Sequence, residues 1–174
     1  MITEYSKEIF KMAENKENKV FFNSSAEHAT IVHQALVKYA TSYLDIFSSC
    51  MCTEISNNSE YCQLMERFLM EDEKRRVNIV LTDYTDNFRK TPIAKVLSKF
   101  PLQVTVKHYN GCAMYKGKPA HFTIADDRSF RLETDITKHI AFGNFSSPDQ
   151  TLALKTVFEK VFDSDLSKSV SLEL

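Results

Sequence analysis

The sequence predicts one α/β domain with a mixed β-sheet that is flanked by helices on both faces. Two observations support this fold class. In the first half of the chain, strand-like runs alternate with amphipathic runs of helical period, which is typical of a sheet with crossover helices. In the second half, three short strand-like runs follow one another before a final helix. The chain has 174 residues, 43% of them hydrophobic, so it can bury such a core without disulfides.

The first half of the chain is predicted to contain four helices and four strands. Apolar side chains at three- and four-residue spacing predict helices over residues 3–15, 26–41, 60–70 and 93–100. Runs rich in β-branched and aromatic residues, or strictly alternating, predict strands over residues 20–22, 43–51, 77–81 and 103–108. Asn23, Ser24 and Ser25 are suitable N-caps for the second helix, and Pro92 suits the first turn of the fourth.

The second half is predicted to be rich in strands and to end in a helix. The strands are expected over residues 120–125, 129–133 and 139–145. The helix is expected over residues 149–162, with its inward side chains being Leu152, Leu154, Val157, Phe158 and Val161. These elements divide the chain into a leading amphipathic helix (1–18), a domain (19–162) and a polar tail (163–174) that is expected to fray.

Composition excludes several classes of function. The three glycines, Gly111, Gly117 and Gly143, cannot form a G-x-G-x-x-G turn or a Walker-type loop. A net charge of −1 gives no global positive field for coating nucleic acid, although a local patch is compatible with it. No apolar run approaches the ~18 residues needed to span a bilayer. The sparse cysteines and an N-terminus that lacks the apolar core of a signal peptide favour a reducing cytoplasm as the location.

The cysteines do not predict a metal site. They lack the paired C-x-x-C spacing of structural zinc and are too sparse for a disulfide scaffold. They are Cys50, Cys52, Cys62 and Cys112. His28 and His33 are five residues apart on a predicted helix, so they do not form an i, i+4 ligand pair. No cofactor and no bound metal are expected.

The segment HFTIADD carries the strongest candidate for chemistry. In a strand that begins at His121, Thr123 lies on the same face as the histidine, and Asp126 and Asp127 follow at the strand end. A histidine held near an acid is the minimum requirement for a positioned nucleophile or general base. A surface histidine without a function is the alternative interpretation.

The next predicted strand, SFRLE, adds two charged candidates. Arg131 and Glu133 alternate with apolar neighbours and therefore share one face of the strand. Together with His121 they form either a catalytic cluster or a salt-bridge network, and the sequence leaves both possibilities open. Lys138 and Asn144 follow further along, the latter in the segment AFGNFSSPDQ.

The order of these segments resembles one half of the phospholipase D superfamily over residues 19–162. HFTIADD is similar to the superfamily strand H-x-K followed by Asp, and AFGNFSSPDQ is similar to its Gly-Ser-x-x-Asn type segment. The resemblance assigns His121 to the motif histidine, Thr123 to the lysine position, Asp126 or Asp127 to the aspartate and Asn144 to the distal asparagine.

The resemblance implies a metal-independent phosphodiesterase, and the absence of a membrane-spanning run favours nucleic acid over lipid as its substrate. A histidine would attack the phosphodiester, and a homodimer would supply the second histidine from another copy of His121. Arg131 or Lys138 would replace the missing lysine, with Thr123 and Glu133 also near the substrate. A threonine hydroxyl cannot offset the charge of a phosphate. The alternative is therefore a catalytically inactive subunit that serves in interaction or regulation, for example within a larger protein complex.

Overall fold

The structure is a computed structural model and describes residues 2–111, 114, 115 and 117–173. Its α-helices are α1 (Ile2–Glu14), α2 (Ala26–Tyr39), α3 (Glu54–Asn57), α4 (Ser59–Glu71), α5 (Pro92–Leu97) and α6 (Pro148–Phe162). Its strands are β1 (Phe21–Asn23), β2 (Tyr43–Ser48), β3 (Arg76–Leu81), β4 (Val104–Tyr109), β5 (Met114–Tyr115), β6 (Lys118–Pro119), β7 (His121–Ala125), β8 (Ser129–Asp135), β9 (Ile140–Asn144) and β10 (Ser167–Ser169). No helix in the described part of the chain is long and apolar enough to cross a bilayer.

Eight of these strands form one mixed sheet, in the order β1-β9-β8-β7-β2-β3-β4-β10. Strands β2, β3 and β4 are parallel, as the alternation of strands and helices in the first half of the chain predicts. The other neighbours in the sheet are antiparallel, as short connections between β7, β8 and β9 require. The prediction of a mixed sheet is therefore confirmed.

Helices cover both faces of the sheet. Side chains alternate between the faces along each strand, so Ile46 and Ile79 join the core under α1, α2, α4 and α5. Phe47 and Val80 point the other way, into the core under α6. Helix α1 packs along α2 and adds Ile9 to the larger of these two cores.

The C-terminal tail does not fray as the sequence suggests, because β10 adds a strand to the sheet. Ser167 pairs with Tyr109, and the pairing continues to Ser169 opposite Lys107. Without β10, strand β4 would present a row of unpaired backbone groups at the edge of the sheet. The pairing therefore orders a segment whose polar composition carries no strand signal.

The inward face of α6 differs from the prediction at one position. Leu154, Phe158 and Val161 are buried as expected, but 64% of Leu152 is exposed. The spacing of the buried residues places Thr151 rather than Leu152 on the same stripe of the helix. Thr151 is accordingly fully buried.

Candidate active site

A small pocket lies where β2 ends, β7 begins and β8 ends, with α2 closing one side. Its volume is about 90 Å³. The polar side chains that line it include His33, His121, Thr123, Arg131, Glu133 and His139. Among them are four of the residues that the sequence singles out: His121, Thr123, Arg131 and Glu133.

His121 and Glu133 face each other across two neighbouring strands. The β7–β8 register pairs their Cα atoms, and His121 Nδ1 lies 3.4 Å from Glu133 Oε2. Only 14% of the His121 side chain and 8% of the Glu133 side chain are exposed. A carboxylate beside Nδ1 favours the tautomer with its proton on that nitrogen, which leaves Nε2 with a free lone pair.

Glu133 is the centre of the polar cluster. Its Oε1 lies 3.0 Å from Arg131 Nη2 and 3.2 Å from His139 Nδ1. Burial alone would raise the pKa of Glu133, but the contacts with His121, Arg131 and His139 lower that pKa to about 2. Glu133 is therefore a carboxylate at neutral pH, although it is almost fully enclosed.

Arg131 is held by partners on both sides and is only 3% exposed. Besides its contact with Glu133, its Nε donates to Asn23 Oδ1 at 3.1 Å. Asn23 Nδ2 in turn donates to the backbone O of His139 at 2.6 Å, where the chain turns with a φ of 53°. These bonds join β1, β8 and the β8–β9 turn, and they pair the charge of Arg131 with that of Glu133.

Thr123 lies next to His121 on the same face of β7 and is also buried. It occupies the position that the resemblance assigns to a lysine. Its hydroxyl can donate a hydrogen bond to an anion but contributes no charge. Because Arg131 is paired with Glu133, the pocket has little net positive charge when its histidines are neutral.

His33 is a pocket residue that sequence reasoning missed. Helix α2 places its ring beside the cluster, with the Tyr61 ring centroid 6.2 Å away. Burial, assisted by the charge of Arg131 and partly opposed by Glu133, lowers the pKa of His33 to about 3. His33 is therefore neutral at pH 7. The sequence predicts the helix that carries His33. It does not show which strand this helix packs against, or that His33 approaches residues far along the chain.

The pocket does not bring in Asp126, Asn144 or Lys138. Asp126 follows the far end of β7, where its carboxylate accepts the backbone N–H groups of residues 41–43. Asn144 is paired with Phe130 at the start of β8, and its side chain bonds to Asn18 and to the N–H of residue 146. Lys138 is exposed in the β8–β9 turn. The direction of the strands places Asp126 and Asn144 at the opposite end of β7 and β8 from His121.

The structure gives no sign of a metal centre in the residues it describes. No three His, Cys, Asp or Glu side chains within residues 2–111, 114, 115 and 117–173 are grouped to hold an ion. Cys50, Cys52 and Cys62 are free thiols, and Cys112 lies outside the described residues.

Solved structures of low sequence identity share this fold. NucT from Helicobacter pylori has a TM-score of 0.62 at 12% identity, with coverage of 87% of this chain and 99% of that one. Nuc from Salmonella typhimurium, a phospholipase D family member, has a TM-score of 0.60 at 11% identity, with coverage of 88% and 99%. TrmBL2, an archaeal chromatin protein whose structure shows a novel mode of DNA binding, has a TM-score of 0.63 at 14% identity. That match covers 97% of this chain, which spans only 62% of TrmBL2.

The domain is thus an α/β protein of phospholipase D-like fold, so the resemblance drawn from the sequence is confirmed for the fold. Among curated protein sequences, none is similar enough to count as a match. The chain belongs to the family described as Domain of unknown function (DUF7931), whose model matches residues 25–170. That range contains all the polar pocket residues named above.

Proposed function

We propose that this protein is a divergent phosphodiesterase of the phospholipase D type, with His121 as its nucleophile and nucleic acid as its substrate. The observation that carries the proposal is the enclosed Glu133 carboxylate beside Nδ1 of His121. It holds the ring in the tautomer that presents a lone pair at Nε2. The similarity in fold to TrmBL2, a protein that binds DNA, supports nucleic acid as the substrate class.

In this reaction Nε2 of His121 forms a bond to phosphorus while the bond from phosphorus to the leaving oxygen breaks. The leaving oxygen takes a proton from a second histidine, and water then cleaves the phosphohistidine. The pocket of about 90 Å³ is well below the range of about 300–1,000 Å³ for whole small-molecule ligands. It therefore suits a phosphoryl group, with the rest of the substrate outside.

A homodimer is part of the proposal because it would bring a second His121 to the reacting phosphate as the acid. Two copies related by a two-fold axis present the same surface to each other, so each residue near the axis faces its own counterpart. A cytoplasmic location also remains part of the proposal.

The second candidate function is a catalytically inactive subunit that binds a partner or nucleic acid. Two observations favour it: Thr123 stands at the lysine position, and Arg131 is paired with Glu133. A phosphate that enters such a pocket meets no unpaired cation on the described pocket residues. In this case the buried ion pair has a structural role only.

Cleavage assays in EDTA on single-stranded DNA, duplex DNA and RNA test the enzyme, and native mass spectrometry tests the dimer. We expect His121→Ala to abolish cleavage. His108 is a half-buried histidine outside the pocket, so the control variant His108→Ala should retain cleavage. Wild-type protein should form an acid-labile phosphohistidine that His121→Ala lacks. A well-folded monomer that cleaves none of these substrates would rule out the enzyme.

Binding without cleavage would instead support the inactive subunit. Fluorescence anisotropy with a labelled oligonucleotide, repeated at several salt concentrations, reports binding and the number of phosphate contacts. An affinity that is the same in wild type and His121→Ala, together with no cleavage, is the outcome expected for this second function.

A further inference from the structure

Two cysteines contact each other on the segment that follows β2. The backbone N–H of Cys52 lies 3.2 Å from the Sγ of Cys50, and the Sγ of Cys52 lies 3.1 Å from the backbone O of Cys50. Between them, Met51 has a φ of 51°, in the left-handed region that is uncommon for residues other than glycine. This turn folds the chain so that both sulfurs lie within one short loop.

The spacing of the two cysteines is compatible with a disulfide. Residues separated by one other have Cα atoms about 5.4 Å apart in a helical turn and at most about 7 Å apart in an extended chain. Cα atoms joined by a disulfide usually lie about 4.4–6.8 Å apart. Both cysteines are free thiols, Cys50 half-buried and Cys52 exposed, so a small reagent can reach them.

The loop is fixed by bonds to its surroundings. Backbone N–H groups after β3 donate to the carbonyls of Ser48 and Ser49. On the other side, Asn57 Nδ2 donates to the carbonyls of Met51 and Thr53, both at 2.9 Å. A loop held in this way keeps the two thiols together without a further loss of chain entropy, which favours the closure of a bond between them.

We propose that Cys50 and Cys52 form a redox-active dithiol that a small-molecule disulfide oxidises reversibly. The Cys50 thiolate attacks one sulfur of the reagent, forming a mixed disulfide and releasing one thiol. The Cys52 thiolate then attacks the Cys50 sulfur, closing the Cys50–Cys52 disulfide and releasing the second thiol. The protein loses two electrons and two protons, and the reagent gains both. This chemistry does not depend on the function proposed above.

The contacts assign different roles to the two cysteines. Cys50 Sγ accepts the N–H of Cys52, which stabilises a negative charge on Cys50 and makes it the attacking sulfur. Partial burial of its thiol and the contact with Cys50 raise the pKa of Cys52 to about 12, so Cys52 is the less reactive sulfur for the first attack. Once Cys50 is bonded to the reagent it no longer opposes the ionisation of Cys52, and Cys52 ionises more readily for the second step.

The same loop forms part of the wall of the candidate active site. Ser49, Met51 and Thr53 line the pocket that contains His121. Closing a disulfide across Met51 must bring the two sulfurs to about 2.0 Å from each other, which shifts the backbone of this part of the wall. Oxidation of the dithiol should therefore change the environment of His121.

The first test uses the full chain with Cys62→Ala and Cys112→Ser, so that only Cys50 and Cys52 remain. After treatment with oxidised glutathione and blocking of free thiols, cyanogen bromide cleaves the chain after each methionine and separates Cys50 from Cys52 at Met51. We expect the fragment with Cys50 and the fragment with Cys52 to stay joined until a reductant is added. Fragments that separate without reductant, with both cysteines blocked or carrying glutathione, would overturn the proposal.

The second test assigns the roles and checks the link to the pocket. Cys52→Ser should accumulate the mixed disulfide on Cys50 about tenfold faster than Cys50→Ser accumulates it on Cys52, because the thiolate is the reactive form. Equal rates or the reverse order would refute the assignment. The NMR signals of the His121 ring should shift on oxidation in the two-cysteine protein but not in Cys52→Ser. An unchanged ring would show that the dithiol does not affect the pocket.

Discussion

Replacing Glu133 by Gln should destabilise the protein by about 3 kcal/mol at pH 7. The side chain of Arg131 is buried beside Glu133, and the neutral amide would leave its charge without a partner. Removing one member of a buried pair typically costs about 3–5 kcal/mol. The pKa of Glu133 gives a similar figure, because its fall from 4.5 to about 2 corresponds to about 3 kcal/mol in favour of the charged form.

The same interaction predicts how stability depends on pH. The folded state lowers the pKa of Glu133, so this contribution is fully present above pH 4.5, the ordinary pKa of the group. It is lost as the pH falls from there toward the folded value of about 2. Wild type should therefore lose this stability in acid, whereas Glu133→Gln should lack that part of the pH dependence.

Urea unfolding, followed by far-UV circular dichroism at several pH values, measures both effects. At a slope of about 2 kcal/mol per molar, Glu133→Gln should lower the midpoint at pH 7 by about 1.5 M. Glu73→Gln is the matched control, because Glu73 is exposed in the turn after α4. The double variant Arg131→Gln with Glu133→Gln should recover part of the loss. A midpoint for Glu133→Gln within about 0.3 M of wild type would refute the role of the buried pair.

Three further predictions concern other parts of the fold. Asp126→Ala should lower the free energy of unfolding in urea by about 2–4 kcal/mol, because backbone N–H groups before β2 lose a charged acceptor. A decrease below about 0.5 kcal/mol would contradict this role of Asp126. Gly143→Ala should lower the free energy of unfolding by about 1–3 kcal/mol, because the added methyl group would overlap the Phe21 ring and the Phe130 carbonyl. An unchanged thermal midpoint would show that β9 shifts to accommodate the methyl group. Lys168→Pro should speed hydrogen exchange of the β4 amides, since proline cannot donate in the β10 ladder; exchange at the wild-type rate would mean that β10 does not protect this edge.

The elements of the fold could be predicted largely from local patterns. The prediction of a helix over residues 26–41 is confirmed by α2, and the buried run over residues 77–81 is confirmed by β3. Local pattern failed for β10, because its pairing with β4 depends on the neighbouring edge rather than on its own composition. It also failed for Leu152, which a one-residue difference in helical phase places in solvent.

The candidate site was only partly accessible to sequence reasoning. His121 and Glu133 could be linked because adjacent strands joined by a short turn bring alternating residues opposite each other. Asn144 could not be placed, because the register of β9 pairs it with the start of β8 rather than with its end. His33 and Asn23 were missed because they reach the cluster from α2 and β1, far away along the chain.

The sequence by itself determined the α/β class, the alternation of elements and the residue types of the polar cluster, because these depend on side-chain period and composition. Only the tertiary structure decided that Glu133 contacts Arg131, His121 and His139 at once. It also decided that Asp126 anchors the start of β2 instead of joining them. The physical reason is that strand order and register, set by burial of the whole core, determine which distant side chains meet.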